Sequence, residues 1–138
     1  MVTRKLRRRR DRGAAAVEFA LVLPLLVMIL FGIAEFGNAF FIKAQVAGAA
    51  RVAVRNYAIN WKTTTAEDTV ARDTATAIAK SAVPDPSASA VISPCVTASS
   101  QTTLVVTYHY QSMTGLFDWV LGSNSVPVTV KASMACGG

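Results

Sequence analysis

Few residues in this chain have both the type and the spacing to support chemistry. The clearest case is a junction, RDRG followed by AAAVEF, in which a short basic stretch ends at Gly13 and the small apolar Ala14 follows. Glycine carries no side chain, so the backbone at Gly13–Ala14 is open to close approach and can take dihedrals closed to other residues. A cut at that bond would remove the basic tip and create a new α-amino group, mostly protonated near neutral pH. Glu18 is the one charge between Ala14 and Ala34. A lone carboxylate in an apolar run costs roughly 3 kcal/mol to place in a bilayer, and such acids are functional candidates by default. The plain alternative for Glu18 is a side chain that snorkels to the headgroups.

Cys95 and Cys136 are the two cysteines and His109 is the one histidine. A disulfide between the cysteines would close a loop for which chain entropy gives roughly 4 kcal/mol of stabilisation. Two buried thiols are the alternative. His109 stands between tyrosines in a strand pattern and reads as a strand residue, not a base. The cysteines and histidine lack metal-site spacing, and no phosphate-cradling glycine loop is present. Glu67, Asp68 and Asp73, with Arg72, read as a solvated helix face. No metal, cofactor or small-molecule substrate is expected, and the chain is not expected to be an enzyme.

Of the 138 residues, 52% are hydrophobic and 16% charged. Soluble domains carry about 25% charged residues. That balance argues against an ordinary cytosolic enzyme and against a disordered chain, which would be poor in apolar residues. The net charge of +6 lies entirely in residues 1–13, and residues 14–138 are neutral overall. A nucleic-acid binder would need a basic face on its folded part, so no nucleic-acid partner is expected.

These residues must be positioned by a few elements. Ala14 to Ala34 would form a helix roughly 31 Å long, the thickness of a hydrocarbon core. We therefore expect a basic leader at 1–13, a transmembrane segment at 14–42 and an extracytoplasmic domain at 43–138. The arginines before the apolar run keep the N-terminus in the cytoplasm and can meet acidic lipid headgroups. Both cysteines then fall in the exported part, where a disulfide can persist. Conventional signal removal near Gly37-Asn38-Ala39 is disfavoured by Glu35 and Phe36 beside it. Pro24 removes a backbone donor and should kink the helix. Glu35 lies about 25 Å beyond Glu18 along a straight helix and is expected at the membrane exit, as an interfacial anion.

The helix is expected to continue to about Ala58, with Phe40, Ala44, Ala47, Ala50/Arg51 and Val54 on one face. The small residues from Ala47 to Ala50 would allow close packing. A second helix follows from about Ala66 to Ala82, containing Val70, Ala71, Ala77 and Ile78. Thr64 with Glu67 and Thr65 with Asp68 match a capping box. Pro84-Asp85-Pro86 stops it. Strands are expected at Ala90–Thr97, an edge because of Pro94, at Thr102–Gln111 and at Ser125–Met134. Leu104, Val106, Tyr108 and Tyr110 share one face of the second. Val126, Val128, Val130, Ala132 and Met134 face inward from the third, and Cys136 continues that set toward Cys95. The apolar stretch from Gly115 to Gly122 is expected as a helical turn that caps the sheet or touches a partner or membrane. The fold class is α+β: a long N-terminal transmembrane helix, a second helix and an antiparallel sheet.

The junction also resembles a prepilin-peptidase site of the type IV pilin superfamily, with Glu18 fifth and Phe19 sixth after Gly13. The longer string from Gly13 through Pro24 to Phe31-Gly-Ile-Ala-Glu-Phe-Gly37 closely resembles the TadE-like family of tight-adherence (Tad/Flp) pilus assembly proteins, which are minor pilins or pseudopilins. The resemblance is strong over residues 12–55 and only a general layout beyond. It implies cleavage between Gly13 and Ala14, a pilin-like fold, and subunit assembly through Glu18 and Phe19. There Glu18 would pair with the free N-terminal amine of a neighbouring subunit. Implied partners are prepilin peptidase, other pilin or pseudopilin subunits, the Tad inner-membrane platform and membrane lipid. The implied role is structural, in assembling a surface filament for adhesion. The bulky outer part departs from the short major pilins of this system, which points to a minor component. The rival reading is an uncleaved single-pass membrane protein with an envelope-binding outer domain.

Overall fold

The computed structural model describes residues 7–115, 122–123 and 125–137, with side chains from Gly13 onward. The expected helical turn between Gly115 and Gly122 falls on residues 116–121 and so lies outside the described residues. The order is α1 (Arg7–Asn60), α2 (Thr65–Ser81), β1 (Ser89–Ile92), β2 (Gln101–Gln111) and β3 (Ser125–Ala135). Helix α1 begins seven residues before the expected start at Ala14, since arginine is a good helix former. It runs as one element through Pro24 and on to Asn60.

The three strands form an antiparallel meander in the order β1-β2-β3. Strand β1 lies at the edge but is shorter than expected, ending at Ile92 before Pro94. Pro94 has no N–H to offer the ladder. The last tie to β2 is made by Ser93, whose N–H donates to the Thr103 carbonyl at 2.9 Å. Strand β2 alternates as expected, with Leu104, Val106, Tyr108 and Tyr110 buried. In β3, Val126, Val128, Val130, Ala132 and Met134 are the more covered residues and their neighbours the more exposed.

The core joins that sheet face to one stripe of α1: Val46, Ala50, Ala53, Val54 and Tyr57. The expected face holds at Ala47, Ala50 and Val54 but not at its N-terminal end. Phe40 and Ala44 point away, Phe40 being 66% exposed, while Ile42 and Val46 take the inner positions. In α2 the buried residues are Asp68, Ala71, Ala75 and Ala79. Ile78 is partly covered against the core, whereas Val70 and Ala77 are exposed. With alanine at most of these sites, α2 can lie close to α1. The large buried side chains come from α1 and β2, where full burial of each contributes about 1.5–3 kcal/mol. Thr64 is the N-cap of α2, yet its hydroxyl donates to the Glu67 carboxylate at 2.6 Å and bonds to no backbone N–H. The two residues meet, but not as a capping box.

The β2–β3 hairpin lies along the outer half of α1. Tyr110, near its closed end, meets Glu35, and Gly137, just past its open end, donates its N–H to the Ala58 carbonyl at 3.1 Å. The helix rises roughly 34 Å between those two points and an 11-residue strand spans roughly 36 Å, so the lengths match. Gly137 makes the open end possible. Its φ of +92° is strained for other residues, and an added Cβ would lie 3.3 Å from Ala98.

Candidate functional site

The first half of α1 stands clear of the domain. Its most apolar stretch is unburied, with Leu21, Leu25 and Ile33 all well exposed, and it is long and apolar enough to cross a membrane. Glu18 and Phe19 lie on this bare helix. The Gly13–Ala14 bond lies within the same helix, and nothing stands within 4 Å of a side chain added at Gly13.

Glu35 differs from the interfacial anion expected of it. It is 2% exposed and is the largest buried charged residue among those described. The Tyr110 hydroxyl and the Met113 N–H both donate to Oε1 at 3.0 Å. The Thr114 hydroxyl at 2.9 Å and its N–H at 3.2 Å donate to Oε2. Asn38 donates to the Tyr110 hydroxyl at 3.0 Å, completing the group. A buried carboxylate is costly unless hydrogen-bonded, and here four donors replace its water. The carboxylate therefore clamps the start of the β2–β3 connection to α1. Burial also raises the pKa of the Tyr110 phenol, which keeps it protonated and donating.

A second polar node holds the far end. The Tyr57 hydroxyl donates to Asp68 at 2.8 Å and accepts from the Cys95 N–H at 3.0 Å. Burial pushes the Tyr57 phenol up, so it too remains a donor. Asp68 is buried rather than part of a solvated face, and its other oxygen pairs with Arg72 at 2.8 Å. Glu67 and Asp73 are exposed, as expected of that face. Cys95 and Cys136, both buried, form a disulfide. The node thus ties α1, α2, the segment after β1 and the end of β3 together.

A third group lies beside β2. Asp85 accepts from the Ser87 hydroxyl at 2.6 Å, the His109 N–H at 2.7 Å and the Ser87 N–H at 2.8 Å. Led by the Ser87 hydroxyl, these bonds hold its carboxyl down at about 2. The His109 side chain is half-exposed on the outer strand face, with Nδ1 3.6 Å from Asp85. Among the described residues no cluster of three or more His, Cys, Asp or Glu is placed to hold a metal ion. A groove of about 540 Å³ runs between the end of α1 and α2 past Asn56, Glu67 and Val70, and its described lining gathers no paired catalytic groups.

An exposed apolar helix, long enough to cross a membrane, carries a small, disulfide-closed α+β domain on its second half. Residues 13–55 match the family model of TadE-like proteins. The match bears out the resemblance seen in the sequence and is consistent with a Tad pilus-associated protein, a family whose role is structural. It covers Gly13, Glu18, Pro24, Glu35 and most of α1, and ends before α2 and the sheet. No curated protein and no solved structure matches the chain significantly.

Sequence reasoning found the disulfide and the bare helix but missed both polar nodes. A signal for one was present: Glu35 was a second acid at the end of an apolar run, and Tyr110 sat on the inward face of a strand.

Proposed function

We propose that this protein is a minor pilin or pseudopilin of a Tad/Flp type IV pilus. Residues 14–42 insert in the cytoplasmic membrane with the N-terminus inside and residues 43–138 outside. Prepilin peptidase cuts between Gly13 and Ala14, and the product joins or supports the filament as a structural subunit used in adhesion. The observation that carries this reading is the family match, which begins at Gly13 on a helix whose apolar side chains are uncovered. Glu18 pairs with the new amine of a neighbouring subunit beside Phe19, which neutralises two charges that are costly in lipid. Pro24 supplies a kink, and Glu35 marks the membrane exit. The disulfide fits an oxidising, extracytoplasmic setting. The protein is a substrate of its peptidase, and its partners are other subunits, the inner-membrane platform and lipid.

One observation favours a second reading, an uncleaved single-pass protein whose outer domain binds an envelope partner. Helix α1 runs unbroken from Arg7 through the Gly13–Ala14 bond, so that bond must unwind before a protease engages it. Intact mass and N-terminal sequencing of protein from native membranes separates the two, with a peptidase-deficient strain as control. A start at Ala14 that is lost in the control supports the pilin pathway. A start at Met1 in both strains sinks it.

A further inference from the structure

The second half of α1 and α2 form one layer against the sheet, and the outer side of that layer carries opposite charges at its two margins. Residues 61–64 join the helices, a connection so short that they run antiparallel. Down the middle of the outer side lies the groove of about 540 Å³, with Asn56 and Asn60 on one wall and Glu67, Val70 and Thr74 on the other. Val52, Ile59 and Val70 stand 60%, 57% and 66% exposed along it. Beyond the groove on the α1 side come Arg51 and Arg55, one turn apart and both exposed. Beyond it on the α2 side comes exposed Asp73, one turn from Val70. Between Glu35 and Asn60, the charges of α1 are all cations.

These charges are not spent within the chain. Among the described residues the ion pairs join Arg72 to Asp68 and His109 to Asp85, so Arg51, Arg55, Glu67 and Asp73 have no ion partner. Lys62 lines the groove together with Glu67, which leaves Asp73 the principal anion of the acidic margin. An apolar strip with a basic margin on one side and an acidic margin on the other is its own electrostatic complement. A second copy rotated by half a turn about an axis parallel to α1 meets the first outer side to outer side. The basic margin of each then faces the acidic margin of the other, an isologous contact. That rotation changes no heights, so the contact also needs its charges level, and they are. The Tyr57 hydroxyl bonds to Asp68 and so sets the level of one helix against the other. Arg51 lies roughly 9 Å from Tyr57 along α1, and Asp73 roughly 8 Å from Asp68 along α2, in the same direction because the helices are antiparallel. Arg55 falls between the levels of Asp73 and Glu67.

We propose that two copies of this chain pair through the outer side of the α1–α2 layer, parallel and at equal height. Val52, Ile59 and Val70 lie between the copies, and Arg51 and Arg55 of each stand against Asp73 of the other. The contact is separate from the pairing of Glu18, which lies roughly 50 Å from Arg51 along α1. It rests on the charges of this face and not on cleavage after Gly13. Its parallel sense agrees with the membrane reading above.

The test places photoreactive p-benzoylphenylalanine at position 52 of the full chain, in vesicles of phosphatidylethanolamine and phosphatidylglycerol. Position 91, on the outer sheet face, and position 25, on the span, serve as comparisons, both being exposed. The expected result is a covalent dimer from position 52, joined to residues 65–81 of the second copy, and none from position 91. Arg51→Glu with Arg55→Glu should abolish that dimer, and adding Glu67→Lys and Asp73→Lys to the same chain should restore it. All four side chains are exposed, so the exchange leaves the core in place. No dimer from position 52, a dimer indifferent to the double reversal, or one that the fourfold exchange fails to restore overturns the proposal. A dimer from position 25 alone places association in the span and overturns it as well. Lipid adducts at position 25 check the membrane reading separately. Their absence sinks that reading, while the result at position 52 still decides this one.

Discussion

Tyr110 stands 75 residues beyond Glu35 in the chain, yet its hydroxyl donates to the Glu35 carboxylate at 3.0 Å. That bond joins the central strand to the helix at the point where the helix leaves the domain. It makes the two ends of the fold separable in experiment, because one end is held by a carboxylate and the other by Tyr57 and a disulfide.

Glu35→Ala should be the most damaging single change at the near end. It removes the carboxylate that accepts from the Tyr110 and Thr114 hydroxyls and the N–H groups of Met113 and Thr114, so a loss of about 3 kcal/mol is expected. Glu35→Gln keeps the shape and one oxygen acceptor, and should cost about 1–2 kcal/mol. Thermal unfolding of the full chain in detergent, followed by circular dichroism, checks the ranking. Equal stability of Glu35→Ala and the parent would remove the clamp from the account.

Two tyrosines offer a paired comparison. Tyr57→Phe deletes the donor to Asp68 and the acceptor for the Cys95 N–H, at an expected cost of about 1–3 kcal/mol. The Tyr108 hydroxyl is buried with no hydrogen-bond partner among the described residues, so Tyr108→Phe should change stability by less than about 1 kcal/mol or raise it. The same unfolding assay distinguishes them, and a larger loss for Tyr108→Phe would contradict the assignment.

Replacing Cys95 and Cys136 together by serine removes a cross-link across a separation of 41 residues. Chain entropy gives an expected loss of roughly 4 kcal/mol. Reduction of the parent protein should lower its unfolding temperature toward that of the double variant and leave the variant unmoved.

Asp85 predicts a pH dependence. Its carboxyl ionises at about 2 in the folded chain, below the ordinary 3.8. A group depressed on folding contributes stability that is fully present above its unfolded pKa and lost as pH falls through the folded one. The parent should therefore lose stability between about pH 4 and pH 2, and Asp85→Asn should flatten that part of the profile. Unfolding midpoints across that range test it, and parallel profiles would count against the role of Asp85.

What the sequence revealed follows from the physics of each element. The bare helix was legible because an apolar run with no polar face leaves little choice. The alternation of β2 and β3 was legible because period two survives on a sheet with one covered face. The inward face of α1 was legible at Ala47, Ala50 and Val54 but not nearer the membrane side. Between Asn38 and Ala58 alanine is so frequent that an inner face at Val46 and Tyr57 differs little in apolar content from one at Phe40 and Ala44. Asp68 read as solvated because nothing local reveals that Tyr57 lies opposite. The Glu35 clamp needed contacts across 75 to 79 residues, and no pattern along the chain reports those. Those contacts are also where the candidate site was least legible, whereas the spacing of Gly13, Glu18 and Pro24 is a local pattern along one helix.

The hairpin fastened along α1 has a mechanical consequence. Between Glu35 and Ala58 the helix is splinted by two strands that run its length and are anchored at each end. An axial pull on that portion is shared among helix, strands and anchors, so it resists extension. From Ala14 to Ala34 the helix has no such splint, and it contains Pro24, where one backbone bond is already absent. Under tension along the chain, extension will concentrate there. The molecule is a stiff rod in series with a weaker one, and its point of yield is set by the position of a single proline.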